Sequence, residues 1–235
     1  RVKYRNVRPI LTPRFIPSCT DELMTKLSAI QQNYRLPVQS HLSENPGEAA
    51  WVKDLCPDSE FYGAAYDRFG LFGGEGCPTI MAHCVHSSEE EIALMKQRGV
   101  YVAHCPQSNT NLSSGIAPVR RFMEKGLNMG LGTDIAGGHS LSMLRTAADA
   151  VQVTKLRWRL ADDSQKALSF AEAFYLASAG GGSFFGSTGT FLEGYDFDAL
   201  ILDDSFWAYP GTLTAGERLE RLAYIGDERC IAGKY

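Results

Sequence analysis

The chain has 235 residues, 44% of them hydrophobic and 21% charged, a folded globular composition that excludes a disordered or fibrous protein. Its formal charge of -4, from 23 basic and 27 acidic side chains without a basic cluster, argues against nucleic acid as a partner. No apolar run approaches the ~18 residues of a membrane span, the N-terminus RVKYRNVRPI lacks a signal-peptide core, and six scattered cysteines form no C-x-x-C pair.

A cytoplasmic protein with reduced thiols and no membrane partner is therefore expected. The chain opens on Arg1 rather than Met, and YRNVRPILTPRF reads as a strand running into a polar turn. SCTDELMTKLSAIQQNY reads as a helix: Ser18 or Thr20 is placed to cap it, Leu23, Leu27 and Ile30 fall at i, i+4 and i+7, and Pro37 follows its end. LPVQSH is a short strand, and EAAWVKDL a helix beyond the loop that carries Glu44. PTIMAHC has strand length and is followed by SSEEEIALMKQRG, where Ser88 and Glu91 stand in capping-box relation and Gly99 closes the helix. VYVAHCP repeats that strand pattern, IAPVRRFMEKG supplies a further helix ending on glycine, and LNMGLGTD a further strand.

Near-continuous apolar strands separated by helices imply right-handed crossovers and a parallel sheet, either an open doubly wound sheet or a (β/α)8 barrel. The G-x-G-x-x-G turn of a dinucleotide-binding sheet is absent, and SAGGGSFFG follows the helical stretch FAEAFYLA, which makes it a helix-terminating loop. His41, His83, His104 and Asp134 all lie at the C-terminal ends of predicted strands. In a barrel that end is the catalytic rim.

Each of these residues alone has an ordinary explanation as a hydrogen-bonded loop side chain. Together, at equivalent places in successive strand-loop units, they would converge into a nitrogen and oxygen donor set suited to Zn²⁺ or a similar divalent ion. Such an ion lowers the pKa of a coordinated water, so hydrolysis follows, and a proton must then reach the leaving group. Glu44, three residues beyond His41, is placed for that transfer, with capping of the next helix as the rival role.

TPRFIPSCTDEL, QSHLSEN, MAHCVHSSEEE, VAHCPQSNTNLSSG and GLGTDIAGGHSLSML, in that order, resemble the guanine deaminases of the amidohydrolase superfamily over about Arg8 to Leu202. The resemblance implies hydrolysis of guanine to xanthine and ammonia with Zn²⁺, or alternatively Fe²⁺, as cofactor. It implies that His41 is a metal ligand, that Asp134 is a ligand which also takes a proton from the attacking water, and that His83 orients that water. It further implies that Glu44 shuttles protons to the ring nitrogen and leaving amine, and that Arg14 and Phe15 hold the purine. His104 is left without a role, the polar run Gln107 to Asn111 shapes the rim, and His86 and His139 are surface or loop residues.

Two departures from the family pattern stand out. The H-x-H pair of the superfamily's first strand is absent from the 235 residues. Residues 1–189 are therefore expected to be a partial (β/α)8 barrel, strands 4–8, with NVRPILTPRF as the fourth. GTFLEGYDFDALILDD leads into residues 190–235, the C-terminal part of a small β-sandwich domain. The chain reads as the C-terminal two-thirds of such an enzyme, inactive by itself, and a homodimer is compatible with it. Alternatives are an aminohydrolase of 8-oxoguanine, adenosine-type or triazine substrates, or a non-catalytic interaction protein of the same fold.

Overall fold

Capping side chains and glycine stops punctuate the chain at most of the expected places in a computed structural model that describes residues 7–235. In chain order the main elements are α1 (Asp21–Tyr34), β1 (Val38–Leu42), α2 (Pro46–Leu55), α3 (Tyr62–Asp67), β2 (Thr79–His83), α4 (Glu89–Arg98), β3 (Tyr101–His104), α5 (Pro106–Asn111), α6 (Val119–Glu124), β4 (Asn128–Leu131), α7 (Met143–Leu160), α8 (Phe170–Tyr175), β5 (Leu200–Leu202), α9 (Ala215–Ile225) and β6 (Ile231–Lys234). The Thr20 hydroxyl accepts from Leu23 N–H at the start of α1, and Ser88 does the same for Glu91 N–H at the start of α4. Gly99, with φ of 67°, ends α4 in the left-handed region where glycine has no Cβ penalty.

The protein is α/β. Strands β1 to β4 form one sheet in sequence order, and β1–β2 and β2–β3 pair in parallel. Sequential order with a helix between neighbours is what right-handed β-α-β crossovers produce. β5 and β6 form a separate antiparallel pair with a register shift between Ile201 and Leu202. Among the described residues no helix is long and apolar enough to cross a membrane.

The chain divides into two compact units, one of residues up to Ala103 with Phe122–Asn128, the other of His104–Arg121 with Met129–Tyr235. In the first, Val38, Leu42, Met81 and Val102 of the strands are buried, and so are Met24, Val52, Ile92 and Met95 of the helices. Full burial of a side chain of this size contributes about 1.5–3 kcal/mol. In the second, α7 packs against α5, α8 and α9, with Ala147, Ala148 and Val151 of α7 buried.

Three details differ from the sequence reading. Of the expected opening strand, residues 4–6 lie outside the described residues, and the rest forms only a parallel bridge from Leu11 to Val38, because Pro9 and Pro13 lack the N–H groups a longer ladder needs. In α1 the buried seam is Met24, Ser28 and Gln31, one residue round from the apolar stripe, while Leu23 and Ile30 are 43% and 40% exposed. The Gln31 side chain explains the rotation, since its amide donates to Leu36 O and Gly76 O and replaces apolar contact with hydrogen bonds. Finally, α8 runs on into a π-type turn over Leu176–Gly180, so the first glycines of SAGGGSFFG belong to helical backbone.

Those glycines permit a close approach. A Cβ on Gly130 in β4 would meet the Gly181 Cα at 2.7 Å, backbone against backbone. Gly130→Ala should therefore cost about 1–3 kcal/mol, and lower Tm by roughly 2–10 °C. Thermal unfolding of the variant checks this, and an unchanged Tm would mean that the two backbones do not meet.

Candidate metal centre

Regular strand alternation would send the first two histidines to opposite faces. His41 of β1 stands opposite Ala82, and His83 of β2 opposite Leu42. His83 breaks the alternation with a left-handed backbone, φ 75°, and its ring stacks on that of His41 with centroids 5.4 Å apart. The bare geometry gives both imidazoles one direction at the strand ends. His83 is only 1% exposed and His41 half-buried.

The tautomer of His41 follows from its partner. Its Nδ1 lies 2.5 Å from the Arg14 carbonyl oxygen, and since a carbonyl can only accept, Nδ1 carries the proton. Nε2 then presents its lone pair, the state a metal ligand needs. The sequence reading made Arg14 a side-chain contact and missed this backbone role. Around the same segment, Ser40 Oγ donates to Pro13 O at 2.7 Å and the Tyr66 hydroxyl donates to His41 O at 2.9 Å. The Arg14 side chain is exposed, with its guanidinium 5.3 Å from the Phe15 ring centroid. Phe15 lies edge-on to His41 and to Trp51, at 6.5 and 6.3 Å.

Glu44 does not cap α2. Asn45 does, its side chain accepting from Glu48 N–H at 2.9 Å. That leaves the Glu44 carboxylate to another purpose, and one of its oxygens lies 3.7 Å from His83 Nε2. Beneath this turn, Glu48, Glu91, Tyr62 and Tyr66 form a buried polar layer, of which sequence reasoning named only Glu91, and that as a capping partner. Burial raises the pKa of Tyr62, Tyr66 and Glu91, and for Glu91 hydrogen bonds from Ser43 and Gly63 oppose the rise. The signal available in the sequence was small: Glu48 read as the start of a helix and Glu91 as the partner of Ser88 in a capping box.

Asp134 sits three residues past β4 in a tight turn, with φ 44° and its carbonyl accepting from Gly138 N–H at 2.6 Å. The polar run of α5 braces that turn: Asn111 Nδ2 donates to Gly137 O at 2.8 Å and Gln107 Oε1 accepts from Ser140 N–H at 3.1 Å. Gly137 has no room for a side chain, since a Cβ there would come within 2.6 Å of Ser108 Oγ and 3.0 Å of Asp134 Oδ2. His104 is fully buried at the end of β3, with its carbonyl accepting from Gly132 N–H at 2.9 Å. His86 and His139 are exposed.

Among the described residues, His41, His83 and Asp134 form a group that could hold a metal ion, one ligand atom of each lying within 4.8 Å of the others. Two nitrogens and a carboxylate oxygen, with one imidazole already in the ligating tautomer, fit a divalent ion such as Zn²⁺ or Fe²⁺.

The amidohydrolase family profile matches residues 3–233. The guanine deaminase of Dictyostelium discoideum is 41% identical over 236 residues, covering 97% of this chain and 52% of that protein. The crystal structure of guanine deaminase from C. acetobutylicum with bound guanine in the active site superimposes with a TM-score of 0.95 at 52% identity, over 100% of this chain and 55% of that one. An adenosine deaminase from Xanthomonas campestris with bound zinc gives a TM-score of 0.77 at 25% identity, over 92% of this chain and 47% of that one. This chain spans about half the length of the curated relatives it matches, less than the two-thirds read from the sequence.

The cap assignment has a direct consequence. Asn45→Ala should destabilise the protein by about 1 kcal/mol through loss of the α2 cap, whereas Glu44→Gln should leave Tm within experimental error. Thermal unfolding of the two variants side by side distinguishes these roles, and the reverse order of sensitivity would return Glu44 to the cap.

Proposed function

This chain belongs to the amidohydrolase family, and from that premise we propose that it is part of a zinc-dependent guanine aminohydrolase, which turns guanine and water into xanthine and ammonia. The observation that carries the reading is the grouping of His41, His83 and Asp134 with the Glu44 carboxylate 3.7 Å from His83. Identity supports guanine over other purines, at 52% to a guanine deaminase with bound guanine against 25% to an adenosine deaminase with bound zinc.

In this reading His41 Nε2 and an Asp134 oxygen are metal ligands, and residues 1–189 are strands 4–8 of a (β/α)8 barrel, with 190–235 part of a small β-sandwich. When bound, the ion supplies a Lewis acid that makes water a nucleophile near neutral pH. Asp134 takes the proton released by the attacking water. His83, held beside His41, orients the water and favours charge developing at the attacked carbon. Glu44 receives and returns protons, first to the ring nitrogen and then to the departing amine, which leaves as ammonia. Arg14 directs its guanidinium at the carbonyl oxygen of the base, and Phe15 packs on the purine face. The enzyme works in the cytoplasm, a compartment compatible with six cysteines of which none forms a disulfide.

Glu44→Gln in the full-length enzyme should keep its metal and lose about 10² to 10⁴-fold in turnover, since the amide matches the carboxylate in shape and cannot carry the proton. Ammonia release from guanine measures this, and a near-normal rate would remove Glu44 from the mechanism. Arg14→Ala should instead weaken guanine binding by roughly 1.5–3 kcal/mol with metal content unchanged. Loss of metal in that variant would count against the assignment. Residues 1–235 expressed alone, without the H-x-H histidines that the family resemblance implies, should bind zinc weakly and lack activity. Stoichiometric zinc with deaminase activity in that segment would show that other residues build the site.

A further inference from the structure

Ser88 and Glu91 have capping-box spacing, yet only half of the box forms. Ser88 Oγ accepts from Glu91 N–H at 3.2 Å, while the Glu91 carboxylate points into the protein and the residue is 1% exposed. One of its oxygens accepts from Ser43 Oγ at 2.8 Å, the other from Gly63 N–H at 2.7 Å. Glu48 repeats the arrangement one residue along the same loop. Its Oε2 accepts from Glu44 N–H at 3.2 Å, and its Oε1 from the Tyr62 hydroxyl at 2.7 Å. Two buried carboxylates thus grip the successive residues Ser43 and Glu44, and the second oxygen of each is anchored at the start of α3.

A grip is needed there. Ser43 has φ 47°, a conformation that a non-glycine residue holds only when its surroundings impose it. Its carbonyl is also held, accepting from His86 N–H at 2.9 Å. A buried carboxyl group is a costly way to secure a loop, because each of its oxygens needs a hydrogen-bond partner, and apolar packing would serve a merely structural turn. What carboxylates add is direction: each fixes one donor to within a few tenths of an ångström, the tolerance that a proton-transferring group requires.

We propose that Glu48 and Glu91 are positioning residues that act through Ser43 and the Glu44 backbone to hold the Glu44 carboxylate against His83, an inference that rests on the function proposed above for Glu44. Substrate binding and metal binding do not pass through this clamp. Its loss therefore separates kcat from KM.

The test uses the full-length, metal-loaded enzyme with Glu91→Gln, Glu48→Gln and Ser43→Ala, each alone and combined with Glu44→Gln, and reads kcat, KM for guanine and metal content. Each single variant should lower kcat about tenfold with KM and metal unchanged. In the Glu44→Gln background the same substitutions should cost less than about twofold more, because the group they position is gone. Should Glu91→Gln or Glu48→Gln fail to fold, Ser43→Ala removes only a hydroxyl and carries the same comparison. Additive losses in the double variants, or kcat falling together with metal content, would overturn the inference. Normal kcat in the clamp variants beside a crippled Glu44→Gln would overturn it alone. Full turnover in Glu44→Gln would overturn the proposed role of Glu44 and the clamp with it.

Discussion

A parallel sheet delivers side chains alternately to its two faces, whereas a metal site needs them at one end of the strands. That conflict is resolved by left-handed backbone just where the strands stop, at Ser43, His83 and Asp134, with φ of 47°, 75° and 44°. Each such residue costs on the order of 1–3 kcal/mol. The cost is offset locally: Ser43 by Glu91 and His86 N–H, and Asp134 by Gly138 N–H with α5 bracing the rest of its turn.

The second constraint is on a proton. His41 can ligate through Nε2 only while Nδ1 keeps its hydrogen, and the Arg14 carbonyl at 2.5 Å holds it there. The same short segment carries Phe15, edge-on to the His41 ring. One stretch of backbone thus sets the tautomer of the proposed ligand and the place of the residues proposed to take the purine. A substitution that moved this segment would disturb both binding and ligation. One that removed only the Arg14 side chain would leave the carbonyl in place.

How much of this was legible depended on whether the signal was local. Strands β1 to β4 were, since a buried parallel strand is an apolar run bounded by turn residues, and so were the capped starts of α1 and α4. The face of α1 was not: Leu23, Leu27 and Ile30 make the better apolar stripe, but Gln31 buries itself by bonding two carbonyls that are distant in sequence. α7, the longest helix, went unread, because the residues it buries are mostly small, alanines and threonines beside the single Val151. Of the candidate site, His41, His83 and Asp134 were readable as residues at predicted strand ends, but not the left-handed backbone of His83 and Asp134. Glu91 was seen as a helix cap, and only its hydrogen bonds reveal where its carboxylate goes.

The buried layer beneath the site also limits which groups can move protons. Burial raises the pKa of the Tyr62 and Tyr66 hydroxyls, so both stay protonated and keep donating, to Glu48 and to the His41 carbonyl, throughout the neutral range. These two hydroxyls therefore neither compete for protons near neutral pH nor change their hydrogen-bonding state. As fixed donors they hold the Glu48 carboxyl group and the His41 backbone, and Glu48 in turn holds the Glu44 N–H. Support and proposed proton carrier are thereby divided between neighbouring glutamates, with Glu48 and Glu91 enclosed within the protein and Glu44 beside His83.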